Sequence, residues 1–205
     1  MRVCRKNGSE ITAELSDFAK AIGLESLCAS RYSLLILLEI FALNEEGIIN
    51  PFKVIDQIKN LEGVGGGTGL KRATPFNHYP LKGLWHQHYL EAGLPAIATN
   101  IKKGINKFGL PWLERKVVDA KVSGEERFFT EADVLHIAHD AVISNWERLI
   151  SNQALTGEWL IFARINNENY YLCLAKHNDG DVAIRAKIDA VCLKEFPFLS
   201  DVLSA

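Results

Sequence analysis

Long apolar runs are missing from this 205-residue chain. The longest, SLLILLEIFAL at residues 33–43, is broken by Glu39 and falls far short of the roughly 20 residues that a helix needs to cross a bilayer. No membrane role is therefore expected. The opening MRVCRKNGSE has no apolar core of the kind a secretory leader requires, which predicts no signal peptide and a cytoplasmic protein. Paired cysteines are missing too. Cys4, Cys28, Cys173 and Cys192 form no CxxC, which argues against a zinc knuckle or a redox motif, and four reduced structural thiols are expected. Cys173, inside the apolar YYLCLA, reads as a small buried hydrophobe.

Nucleotide and catalytic signatures are equally scarce. Residues 63–69, GVGGGTG, fail the P-loop pattern because Leu70, Lys71 and Arg72 follow Gly69 where Lys-Ser/Thr should stand. They fail GxGxxG because Thr68 occupies the third glycine position. HIAHD, at residues 136–140, is not HExxH, and there is no GxSxG. No cofactor is called for. The glycine run reads as a flexible hinge or lid.

The chain does contain the makings of a folded core, with 48% hydrophobic and 23% charged residues and no low-complexity tract. Charge is uneven along it. Residues 71–121 hold nine lysines and arginines against three acids, whereas residues 128–205 hold six against eleven. The basic middle could serve phosphate groups, and near-neutrality overall conceals it.

Periodicity places helices first. Ile11, Leu15, Phe18 and Ile22 share a helical face that Ser9 can cap and Gly23 can end. A buried helix follows over residues 30–43, then a turn at Gly47, an extended Ile48 and Ile49, and a helix with Pro51 at its start. Helix, short extended piece and helix resemble the opening of winged-helix DNA-binding domains, which implies a contact with DNA for this region. A further helix is expected over residues 95–107. In TEAD, Thr130 and Asp133 make a capping box for a helix to about Asn152, with a buried stripe of Leu135, Ala138, Val142, Trp146 and Leu149. EWLIFARI and YYLCLAKH read as two strands joined by a four-residue NNEN connection, before a helix that Asp181 can cap and Pro197 stops. One hairpin is marginal alone, so residues 81–89 and 114–122 are the candidates for further strands. The class is α+β: a mainly helical N-terminal part, a small antiparallel sheet and a C-terminal hairpin-helix unit. Its organisation reads as a helical region 1–62, a glycine-rich loop 63–72 and an α+β region 73–205, or as one domain throughout.

Chemistry concentrates in residues 71–89, KRATPFNHYPLKGLWHQHY, which carry His78, His86 and His88 beside lysines and aromatics. If residues 84–89 are extended, His86 and His88 point to one face while Trp85, Gln87 and Tyr89 point to the other. Two such imidazoles suit an acid-base pair or a metal. His136 and Asp140 can pair across one helical turn. His177 follows a strand end, where side chains project into clefts, and Arg164 and Lys176 are candidates to converge on it.

The order strand, polar hairpin, strand, His-x-Asp and short helix, over about a quarter of the chain, resembles the C-terminal part of RelE-like ribonuclease toxins. Those proteins are shorter and strongly basic, whereas this C-terminal third is acidic. The resemblance implies metal-independent phosphodiester cleavage. The leading expectation is an intracellular protein that acts on nucleic acid or another phosphate-rich ligand through its basic middle segment and, if it is an enzyme, a toxin-like metal-independent endoribonuclease using His86, His88, Lys82 and His177, with RNA or DNA contacted by Lys71, Arg72, Lys102, Lys103, Trp85 and Tyr89. A non-catalytic protein that binds DNA or a protein partner, and a metal-dependent hydrolase built on His86, His88, His136 and His139, are the alternatives.

Overall fold

The computed structural model describes residues 2–5, 7–90, 93–124 and 128–204. In chain order they form α1 (Thr12–Ala21), α2 (Leu24–Cys28), α3 (Leu34–Glu45), α4 (Pro51–Leu61), β1 (Thr74–Pro75), β2 (Trp85–Tyr89), α5 (Leu94–Phe108), α6 (Pro111–Ser123) and α7 (Glu131–His139). A π turn at Asp140–Ser144 leads into α8 (Asn145–Ser151), followed by β3 (Glu158–Ile165), β4 (Glu168–Ala175), α9 (Asp181–Glu195) and α10 (Leu199–Val202). The fold is α+β, and its single four-stranded sheet is antiparallel in the order β1-β2-β3-β4. No helix among the described residues is long and apolar enough to cross a membrane.

The sheet separates two apolar layers. On one face Leu15, Ile36, Ile40, Ile55 and Ile58 of the N-terminal helices meet Tyr89, Leu160, Phe162 and Leu174. On the other, Ile184, Ile188 and Cys192 of α9 meet Leu84, Ile161 and Cys173. A bulge shifts the register between Ile161↔Cys173 and Phe162↔Tyr171, which lets Leu172 and Cys173 pack into the same α9-side layer. Polar ties lock the layers together. Glu39, the interruption in the apolar run, accepts from Leu174 N at 2.6 Å and from Lys187 Nζ at 2.8 Å, joining α3, β4 and α9. Arg31 donates to both Glu62 oxygens, at 3.1 and 2.6 Å, and the Tyr171 hydroxyl donates to the same carboxylate at 2.6 Å.

The β3–β4 hairpin turns on Asn166 and Asn167 alone, both at positive φ (50° and 66°). It is a two-residue turn, not the four-residue NNEN, because asparagine tolerates the left-handed region that the tightest hairpin turns demand. Other expectations also change. Residues 114–122 belong to α6, with Pro111 in its first turn and Gly124 ending it in the left-handed conformation. Ile48 and Ile49 join no strand, although Ile49 is buried. Ser9 donates its hydroxyl to Asn7, and α1 starts at Thr12 without a side-chain cap. Asp181 is the first residue of α9, behind Gly180, and does not cap it. The Thr130–Asp133 capping box is present, but the stripe behind it is not buried: Leu135 is 66% and Val142 39% exposed, and only Leu149 is fully enclosed. The π turn breaks the helical phase at Asp140, and α5–α8 form an insertion between β2 and β3 whose Phe108, Trp146 and Leu149 pack with Leu70, Ala154 and Leu155.

Candidate functional site

β2 is extended, so His86 and His88 share a face, and antiparallel pairing sets His88 opposite Trp159 and His86 opposite Ile161. The loop after β4 carries His177 back across the same face. Ring centroids are 5.6 Å apart for His86 and His88, and 5.4 Å for His88 and His177. Trp159 lies against both ends of this row, 5.1 Å from His86 and 4.5 Å from His177. Phe76 covers His86 at 4.7 Å. Three histidines distant in the sequence thus form one aromatic-walled cluster.

Gly157 organises two of them. Its carbonyl oxygen lies 2.6 Å from His88 Nδ1 and 2.9 Å from His177 Nε2. The neutral ring of His88 therefore donates from Nδ1 and presents Nε2 as its basic nitrogen, while His177 donates from Nε2 and presents Nδ1. A side chain at position 157 would collide with the backbone, since its Cβ would lie 1.9 Å from Tyr89 O. Asn100, fully buried, holds the same segment to α5 by accepting from Thr156 N at 2.9 Å and donating to Thr156 O at 2.8 Å. His86 Nε2 is 3.0 Å from Thr74 Oγ1. Its Nδ1 and the indole nitrogen of Trp159 are both buried without a hydrogen-bond partner among the described residues. Two unsatisfied polar atoms in one cluster are unusual in a folded interior, where nearly all buried polar atoms are paired.

Burial, and then the charges of His177 and Lys71, push the His86 imidazole down to about 4. Burial likewise brings His88 to about 4, against the contrary pull of the Gly157 carbonyl. Both rings are neutral near pH 7. A bound anion would reverse this balance by favouring the protonated forms. A cleft of about 430 Å³ opens beside His177 and Gly157, walled by Pro95, Thr99 and Glu158.

The structure brings together His86, His88 and His177 and adds Lys71, whose charge is felt at both β2 imidazoles. Lys103 is close to Lys71, and its ammonium donates to Ala154 O at 2.5 Å. Lys82 is apart from the cluster, with its ammonium 5.4 Å from the centre of the Tyr79 ring. Arg72 reaches Gln153 instead, and Lys102 is exposed on α5. Trp85 lies on the opposite face beneath Arg164, 4.5 Å from the guanidinium, so Arg164 does not converge with His177. Tyr89 is a core residue at 1% exposure and offers no face for stacking on a base. His136 stacks on Trp112, and its expected partner Asp140 is buried, bonded to Arg148 at 2.7 Å and Trp112 N at 2.9 Å. His139 lies near Ser144. Among the described residues no group of three or more His, Cys, Asp or Glu could hold a metal ion, so the four-histidine hydrolase lacks its cluster. Gly157, Trp159, Thr74 and Phe76 escaped the sequence reading because only the strand register reveals them.

No protein-family model matches the chain, and no curated protein or solved structure shows a significant match.

Proposed function

We propose that the three-histidine face binds a phosphodiester and cleaves RNA without a metal. The observation that carries this reading is the row of His86, His88 and His177 on one face, the last two on the Gly157 carbonyl, with the charge of Lys71 felt at the β2 imidazoles. His88 Nε2 removes the proton from the ribose 2′-hydroxyl. The 2′-oxygen forms a bond to phosphorus, the bond from phosphorus to the 5′-oxygen breaks, and His177 in its doubly protonated form, with Nε2–H kept on the Gly157 carbonyl, gives its Nδ1 proton to that leaving oxygen. Lys71 stabilises charge on the phosphorane. The products are a 2′,3′-cyclic phosphate and a 5′-hydroxyl.

A second reading, a non-catalytic binding protein, is favoured by the neutrality of His86 and His88. One assay separates the two. Single-stranded RNA incubated with the protein in chelator should yield cyclic-phosphate ends, and His88→Ala or His177→Ala should lower the rate by about a hundredfold or more. RNA that is bound yet intact would leave the binding reading standing and remove the enzyme.

A further inference from the structure

The glycine run folds back over α4. Val64 N donates to Lys59 O at 2.9 Å, Thr68 Oγ1 donates to Gln57 Oε1 at 3.1 Å, and a Cβ on Gly65 would lie 2.8 Å from Asn60 N. Only glycine permits that approach. Between the run and the helix is a cleft of about 520 Å³, inside the range of roughly 300–1,000 Å³ typical of small-molecule sites.

Its walls carry four kinds of group. Lys53 and Lys59 supply positive charge. Gly65, Gly66 and Gly67 line the cleft and are exposed, and their N–H groups donate to no backbone carbonyl among the described residues, so these amides are open to the oxygens of a ligand. Gln57 is 3% exposed, and its oxygen accepts from both Thr68 and Gln87, which leaves its two N–H groups as the donors on that wall. Against these stands one acceptor, Asp56, whose carboxylate is 4.0 Å from Lys59 Nζ. Leu70 and Leu155 complete the wall with apolar surface.

A bare phosphate would meet the donors and also the Asp56 charge. A phosphate ester with a hydroxyl to donate would satisfy both, and a flat apolar ring would cover the leucines. We infer that this cleft is a nucleotide site: phosphates on the Gly65–Gly67 amides and the two lysines, a ribose hydroxyl donating to Asp56, and the base against Leu70 and Leu155. The site is independent of the histidine face, because Gln57 meets β2 through Gln87, on the side opposite to His86 and His88.

Adenosine diphosphate and inorganic pyrophosphate are the probes, read by amide shifts of Gly65–Gly67 and by calorimetry on the full chain. The diphosphate should shift those amides. The double variant Lys53→Ala with Lys59→Ala, both on the surface of α4, should weaken binding about tenfold or more. Asp56→Asn should weaken the nucleotide while pyrophosphate binds at least as well, and His86→Ala should leave the nucleotide-induced shifts of the Gly65–Gly67 amides unchanged. Unmoved glycine amides at millimolar nucleotide, an unaltered affinity in the double lysine variant, or loss of those shifts with His86→Ala would each overturn the assignment.

Discussion

In the body formed by the sheet and the helices on its two faces, most enclosed side chains are apolar: Ile36, Ile40, Ile55, Ile58, Leu160 and Phe162 are all at 0% exposure, and Ser33, Gln57, Gln87, His88 and Asn169 are the buried polar ones. In the helical insertion of α5–α8 most of the large apolar side chains stay outside, with Leu94 at 82% and Val122 at 84%, although Leu149 is enclosed. The other side chains that the insertion buries are polar: Asn100, Asp133, Asp140 and Asn145. Each has its partner, as when Asn145 donates to Gly109 O at 3.1 Å or Asp140 pairs with Arg148. Gly104 allows the close contact behind them, since a Cβ there would lie 2.9 Å from Asn145 Cβ. The body is held by area removed from water, whereas the insertion is held largely by specific hydrogen bonds whose net contribution is individually modest.

The comparison is tested most strongly by truncation. Phe162→Ala in the body should cost about 3–5 kcal/mol, because it leaves a cavity between packed layers. Leu135→Ala in the insertion should change stability by no more than about 0.5 kcal/mol. Denaturant titrations of the two variants check this, and similar costs would show that the insertion's apolar face is covered after all.

A smaller effect should follow pH. His86 and His88 sit at about 4 in the folded body against 6.5 as the ordinary value, so between these limits the unfolded chain binds protons that the folded one does not. Stability should be level above about pH 6.5 and fall as pH drops toward 4, with no further loss from these two groups below that. Urea midpoints across the window should fall for the natural chain and fall less for a double variant with His86→Gln and His88→Asn. Parallel curves for the two proteins would contradict the buried, neutral state of these rings.

Parts of this contrast were legible in the sequence. Alternation along WHQHY put His86 and His88 on one face, TEAD marked a helix start, and the two apolar runs after residue 157 marked a hairpin. Periodicity reveals that a helix has an apolar face without revealing what covers it, which is why Leu135 and Val142 were expected inside. Residues 114–122 were open to a strand reading through their valines, but Pro111 and Gly124 frame a helix. The site was half legible. His177 joins His88 only through the β2–β3–β4 register and the carbonyl of Gly157, contacts 69 and 20 residues apart along the chain, and no local pattern encodes them. Lys82, expected among the catalytic groups, places its ammonium over the Tyr79 ring.

The central claim is that an anion seats itself on the three-histidine face, and titration of the imidazoles by nuclear magnetic resonance tests it most directly. In the free protein His86 and His88 should titrate at about 4. With a saturating 2′-deoxy dinucleotide, which carries the phosphodiester but cannot be cleaved, both midpoints should rise by about one pH unit or more as the phosphate favours the protonated rings. Midpoints unmoved by the dinucleotide would contradict the account.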